Sequence, residues 1–257
     1  MTGLSDKTAA HATARVDDPR AILVFLVGTL GLPEDADGLA RHLATHRIKT
    51  YMLAPRPDAC RHGQVLGELD EVVNVARTEH PGVRVTVGGV SAGANLVLAW
   101  RSLVGHETPV IAMAPVVVPR FLGAGDLFKV AAGLLMGYFA ALEVNTPMSK
   151  RVPLSTNPAS PLYRLEQVEH LKVAASFFGM VVRALGTALI HRAATGPLYI
   201  TLAGADRVSR NGAARLLAFL LPGHDSASRT FPGLAHDLGQ EWHDPDWGEE
   251  LARRILG

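Results

Sequence analysis

Residues 89–93 read Gly-Val-Ser-Ala-Gly, a serine bracketed by glycines where the apolar run 84–89 stops. This G-x-S-x-G spacing is what a sharp strand-to-helix turn requires, because side chains at the glycine positions would collide with the neighbouring strand and helix. Such a turn exposes Ser91. A serine hydroxyl is a poor nucleophile at neutral pH; it needs a histidine base, and the histidine needs a carboxylate to hold its tautomer. In strand-turn-helix nucleophile sites the acid and then the histidine follow the serine along the chain. Asp206 follows the apolar run 197–204, and His236 lies in "GLAHDL" after the short run 229–231. Asp237 is the alternative acid, although residues adjacent in sequence usually point apart.

The chemistry these groups serve is acyl transfer, whose tetrahedral intermediate needs two N–H donors. The amide of Ala92, directly after the serine, is one candidate. Thr29, in "LVGTLGLPED" where glycines 28 and 31 leave the backbone accessible, is the other. Of the remaining histidines, His170, His191, His224 and His243 fall in segments where solvated surface roles are the default, and His62 is expected to support its loop.

The elements that must position these residues are legible as alternation. Short apolar runs at 21–27, 50–53, 84–89, 109–115 and 197–204 suit strands buried on both faces, and helix-length segments such as 67–80 suit the crossovers. This pattern predicts an α/β fold with a mostly parallel central sheet flanked by helices. The segment 92–103 is expected as a helix with Leu96, Val97, Trp100 and Leu103 on one face. The alternation breaks between about 116 and 195, where two apolar helix-like stretches, 126–142 and 170–190, flank a proline-rich segment, 145–162. We read an inserted helical cap at 116–195, on a core formed by 1–115 and 196–257.

Composition narrows the function classes. Lys and Arg total 25 against 24 Asp and Glu, a formal net charge of +1, so nucleic acid has little electrostatic reason to bind. Cys60 is the one cysteine, which excludes an internal disulfide, and no CxxC or HxxxH pair is read as offering metal ligands at a useful spacing. No metal and no cofactor are expected. The first twenty residues lack the apolar centre of a signal peptide, and the apolar stretch 130–142 is shorter than the roughly 18 residues of a spanning helix. A cytoplasmic protein is expected.

Taken together, the stretches "VGTLG" (27–31), "DACRHGQV" (58–65), "GVSAGA" (89–94), "GADRV" (204–208) and "GLAHDL" (233–238) resemble the motifs of the monoacylglycerol lipase and lysophospholipase branch of the α/β-hydrolase fold. The resemblance covers nearly the whole chain from Ala21 onward. It implies Ser91 as nucleophile, Asp206 as acid, His236 as base and the amides of Thr29 and Ala92 as oxyanion hole. Val27, Val90 and Ala94 depart from the family pattern without removing a catalytic group, whereas Arg61 and Val65 alter the second loop. The short N-terminal lead-in implies a sheet of seven strands rather than eight. The implied substrate is a small-molecule ester of a medium or long acyl chain, such as a monoacylglycerol. In that family the cap contacts membranes or lipid aggregates, so peripheral membrane contact is expected here too. A thioester or amide substrate, or a non-catalytic binding role, is the alternative.

Overall fold

The computed structural model describes residues 11–12, 14–28, 36–54, 62–120, 143–146, 154–158, 160, 171–191, 194–221 and 228–257. Strands β1 (His11–Ala12), β2 (Ala21–Leu26), β3 (Ile48–Leu53), β4 (Arg84–Val90), β5 (Val110–Met113), β8 (Leu198–Ala203) and β9 (Arg229–Phe231) form a seven-stranded sheet in the order β1-β3-β2-β4-β5-β8-β9. All neighbours pair in parallel except β1, which lies antiparallel on β3 at the edge. Among the described residues the sheet has the seven strands expected.

Burial on both faces explains why the strands read as unbroken apolar runs rather than alternating ones. Along β2, Ile22, Val24 and Leu26 point into one core cluster, while Ala21, Leu23 and Phe25 point into another. The first layer holds helices α2 (His62–Glu79), α3 (Ala92–Leu103), α4 (Ala175–Ile190) and α5 (Asn211–Leu220). The second holds α1 (Asp37–Thr45) and α6 (Pro245–Leu256). Helix α6 starts cleanly because Asp244 accepts the Trp247 N–H at 2.9 Å and Pro245 lacks the donor that position would leave idle.

The chain reverses its direction of travel across the sheet at β2. From β2 it moves outward to β3, then returns to place β4 on the other side of β2. The loops leaving β2 and β4 therefore diverge to opposite faces, which opens a crevice at their C-terminal ends, where ligands of open α/β sheets bind. Ser91 stands at that crevice.

The expected helix at 92–103 forms with those bounds. The expected helix at 170–190 starts later, because Leu171–Ala174 form a strand, β7, paired antiparallel with β6, Glu143–Thr146. Helix α4 then packs Met180, Val181, Ala184 and Ala188 into the same cluster as α3. Most of the expected cap, including the helix at 126–142, lies outside the described residues.

Helix α3 sits unusually close to the sheet. A Cβ on Gly93 would lie 2.3 Å from the Leu26 carbonyl oxygen and 2.6 Å from that of Val27, and one on Gly89 would lie 2.6 Å from the Gly93 backbone. Because these neighbours are backbone atoms, they cannot rotate aside. Gly93→Ala is expected to destabilise the fold by about 1–3 kcal/mol or more, measurable as a lower urea midpoint with an unchanged m-value.

Candidate active site

Ser91 joins β4 to α3 with φ 58° and ψ −123°. A left-handed φ on a non-glycine residue costs about 1–3 kcal/mol and persists only where the surroundings over-determine it. Here the glycine contacts with β2 and the Ser91 N–H donating to the Met113 carbonyl at 2.9 Å hold the turn. The side chain does not cap α3, although serine is a favoured capping residue. It is directed to His236, whose Nε2 lies 2.8 Å from Ser91 Oγ.

His236 Nδ1 lies 2.9 Å from Asp206 Oδ2. The carboxylate accepts, so Nδ1 carries the proton and donates, which leaves Nε2 unprotonated to accept from the Ser91 hydroxyl. The other Asp206 oxygen, Oδ1, accepts the N–H groups of Val208 at 2.8 Å and Ser209 at 2.9 Å. Burial pushes the Asp206 carboxyl upward, but the hydrogen bond and charge of His236, with the Ser209 and Val208 amides, outweigh it and hold the group below the ordinary carboxylate value. Both side chains are almost wholly buried, at 5% exposure for His236 and 0% for Asp206. Water cannot compete for their bond.

The loops that carry acid and base are tied to each other. Gly204 donates to the Phe231 carbonyl at 2.8 Å and Ala205 to that of Leu234 at 3.0 Å. A Cβ on Gly204 would come within 2.8 Å of the Phe231 oxygen, so this approach needs glycine. The acid loop is braced from the other side by the segment leaving β5: Ser209 Oγ donates to the Pro115 carbonyl at 3.2 Å, and Arg120 N–H to the Val208 carbonyl at 2.8 Å. The histidine loop rests on α6, where the indole N–H of Trp247 donates to the Leu238 carbonyl at 2.8 Å.

Three of the five site residues predicted from sequence, Ser91, Asp206 and His236, thus form one hydrogen-bonded chain. Asp237, the alternative acid, turns away, its Oδ1 accepting the Gly239 N–H at 3.1 Å. Ala92 is the first residue of α3, so its N–H has no acceptor within the helix. Thr29 lies outside the described residues, but Gly28 before it borders the serine: a Cβ there would be 3.2 Å from Ser91 Cβ. His62 begins α2 half-buried, its Nε2 unpartnered among the described residues. Contrary to the sequence reading, an H-x-x-x-H pair is present: His42 on α1 and His46 just past its last residue, with ring centroids 5.2 Å apart. Among the described residues no group of three or more His, Cys, Asp or Glu is arranged to hold a metal. Likewise, no helix among the described residues is long and apolar enough to cross a membrane.

A parallel sheet with a serine elbow at its switch point, followed by a histidine loop bonded to a buried acid, defines an α/β-hydrolase. The chain matches the family described as serine aminopeptidase, S33 over residues 17–243. It belongs to that family and is a serine hydrolase of the esterase-like kind. A monoacylglycerol lipase of Mycolicibacterium smegmatis is 24% identical over 239 residues, covering 87% of this chain and 84% of that protein. A soluble variant of the Saccharomyces cerevisiae monoglyceride lipase, solved with a substrate analogue, superposes with a TM-score of 0.71 at 13% identity, over 93% of this chain and 86% of that one. The Paleococcus ferrophilus monoacylglycerol lipase gives 0.70 at 19% identity, over 96% of each chain.

The depressed Asp206 value has a consequence for stability. A carboxyl whose folded pKa lies below its unfolded one stabilises the fold above the unfolded value, about 4, and loses that contribution as pH falls through the folded value. The stability difference between wild type and Asp206→Asn is therefore expected to shrink as pH falls below about 4. Denaturant unfolding across that range measures it.

Proposed function

We propose that this protein is a serine carboxylic-ester hydrolase acting on esters of medium or long acyl chains, with monoacylglycerols as the favoured class. The observation that carries the reading is the continuous chain from Ser91 Oγ through His236 to the buried Asp206 carboxylate. In this mechanism the hydroxyl of Ser91 attacks the ester carbonyl as its proton passes to His236 Nε2. The amides of Ala92 and Thr29 receive the oxyanion, an assignment supported by the free N–H at the start of α3 and by the closeness of Gly28 to the serine. The protonated imidazole, stabilised by Asp206, then gives its proton to the leaving alkoxide. Water activated by the same histidine releases the acid and regenerates Ser91.

The lipid preference is drawn from the names of the relatives, monoacylglycerol lipases that this chain matches over most of their length. In this reading the part of the expected cap that precedes α4 contacts the acyl chain and the surface of membranes or lipid aggregates, since α4 itself packs in the core layer beside α3. Much of that region, including Leu127, Val130, Leu134, Leu135 and Phe139, lies outside the described residues. The family's description as an aminopeptidase favours an amide as the second reading, since the same relay serves any carbonyl with a leaving group.

Hydrolysis of p-nitrophenyl esters of graded chain length separates these readings. Wild type is expected to prefer the longer chains over acetate, with Ser91→Ala and His236→Ala each lowering kcat on the order of 10⁴-fold or more. Equal rates in all three proteins would exclude the mechanism, and turnover of aminoacyl amides ahead of esters would favour the second reading. A fluorophosphonate probe is expected to label Ser91 alone.

A further inference from the structure

Five residues after His236 lies a carboxylate outside the relay. Glu241 has 0% exposure, and among the described residues no cation pairs with it. Removing a carboxylate from water costs several kcal/mol, so a residue of this kind is retained where its oxygens are matched by donors. Both donors come from one residue 85 positions earlier in the chain. The Thr156 N–H donates to Oε1 at 2.5 Å, and the Thr156 hydroxyl donates to Oε2.

Further bonds join the same two segments. The Asp237 N–H donates to the Leu154 carbonyl at 2.7 Å, and Asn157 Nδ2 donates to the Gln240 carbonyl at 3.0 Å. Ser155 Oγ accepts the Asn157 N–H at 3.0 Å, which fixes the shape of the segment that reaches Glu241. On the other side, successive turn bonds run back to the histidine: Glu241 N–H to the Leu238 carbonyl at 3.3 Å, Gln240 N–H to that of Asp237 at 2.9 Å, and Leu238 N–H to that of His236 at 3.1 Å. A displacement of the 154–157 segment is thus transmitted to the imidazole through a short, hydrogen-bonded path.

We propose that Glu241, through Thr156, is a positioning residue that clasps the 154–157 segment to the loop bearing His236 and so sets the imidazole against Ser91. The inference rests on the reading of His236 as the general base. Efficient proton transfer requires the base within hydrogen-bond reach of the hydroxyl, and a misplacement of about 1 Å can lower the rate by about 10²-fold. Loosening the clasp therefore lowers kcat without greatly changing how substrate binds. Glutamine retains the fit, because its oxygen accepts the Thr156 N–H and its amide donates to the Thr156 hydroxyl oxygen.

Steady-state kinetics on a p-nitrophenyl ester, with melting temperature recorded for each protein, test this. Glu241→Ala and Thr156→Val are expected to lower kcat by about 10-fold with KM within about twofold of wild type, while Glu241→Gln and Thr156→Ser stay within about threefold in kcat. Should Glu241→Ala fail to fold, the Thr156→Val and Thr156→Ser pair decides. Folded alanine and valine variants with wild-type kcat, a change confined to KM, or a loss not restored by glutamine and serine overturns the proposal. Wild-type activity in His236→Ala overturns the reading beneath it instead, so the two failures are distinguishable.

Discussion

The contact between α3 and β2 is closer than a methyl group permits, and the site depends on it. With no Cβ at Gly93, the first turn of the helix settles on the Leu26 and Val27 carbonyls, and with none at Gly89 the incoming strand can pass beneath it. The chain connects the two by a tight reversal in which the intervening residue, Ser91, takes φ 58°. That conformation directs Ser91 Oγ to His236 Nε2, 2.8 Å away, and makes Ala92 the first residue of α3. Apolar burial on both sides of the sheet supplies the energy that holds the strained turn, since β2 and α3 are almost wholly enclosed.

Around this fixed point the acid and base are held by different means. Asp206 sits against the amides of its own loop, so its charge is stabilised locally before the histidine contributes. His236 has no such local cradle. Its loop is suspended between the acid loop, helix α6 and the 154–157 segment, three structures far apart in sequence. The acid's charge is therefore matched within its own loop, whereas the position of the base is set by segments brought together from across the chain.

That difference explains what could be read from the residues alone. Ser91 was legible because glycine spacing, apolar strand and small-residue helix all lie within twenty positions of each other. Asp206 and His236 were legible because each follows a strand in the order the mechanism demands. The clasp at Glu241 was not, because its partners are a backbone amide and a threonine hydroxyl with no pattern linking them to it. The strand at 171–174 was hidden for a related reason: Leu-Lys-Val-Ala is equally at home in helix or strand, and its pairing with 143–146 is settled by non-local contact.

Trp247 joins the base loop to the C-terminal helix through its indole N–H, while its ring lies edge-on to Phe231 with centroids 4.9 Å apart. Trp242 stacks near His42 on the same side of the sheet, and Trp100, the last of the three tryptophans, is buried in the opposite layer beside Asp70. Two of the molecule's three indole fluorophores therefore flank the loop that carries His236. Intrinsic emission is thus weighted toward the packing of that loop, without any attached label.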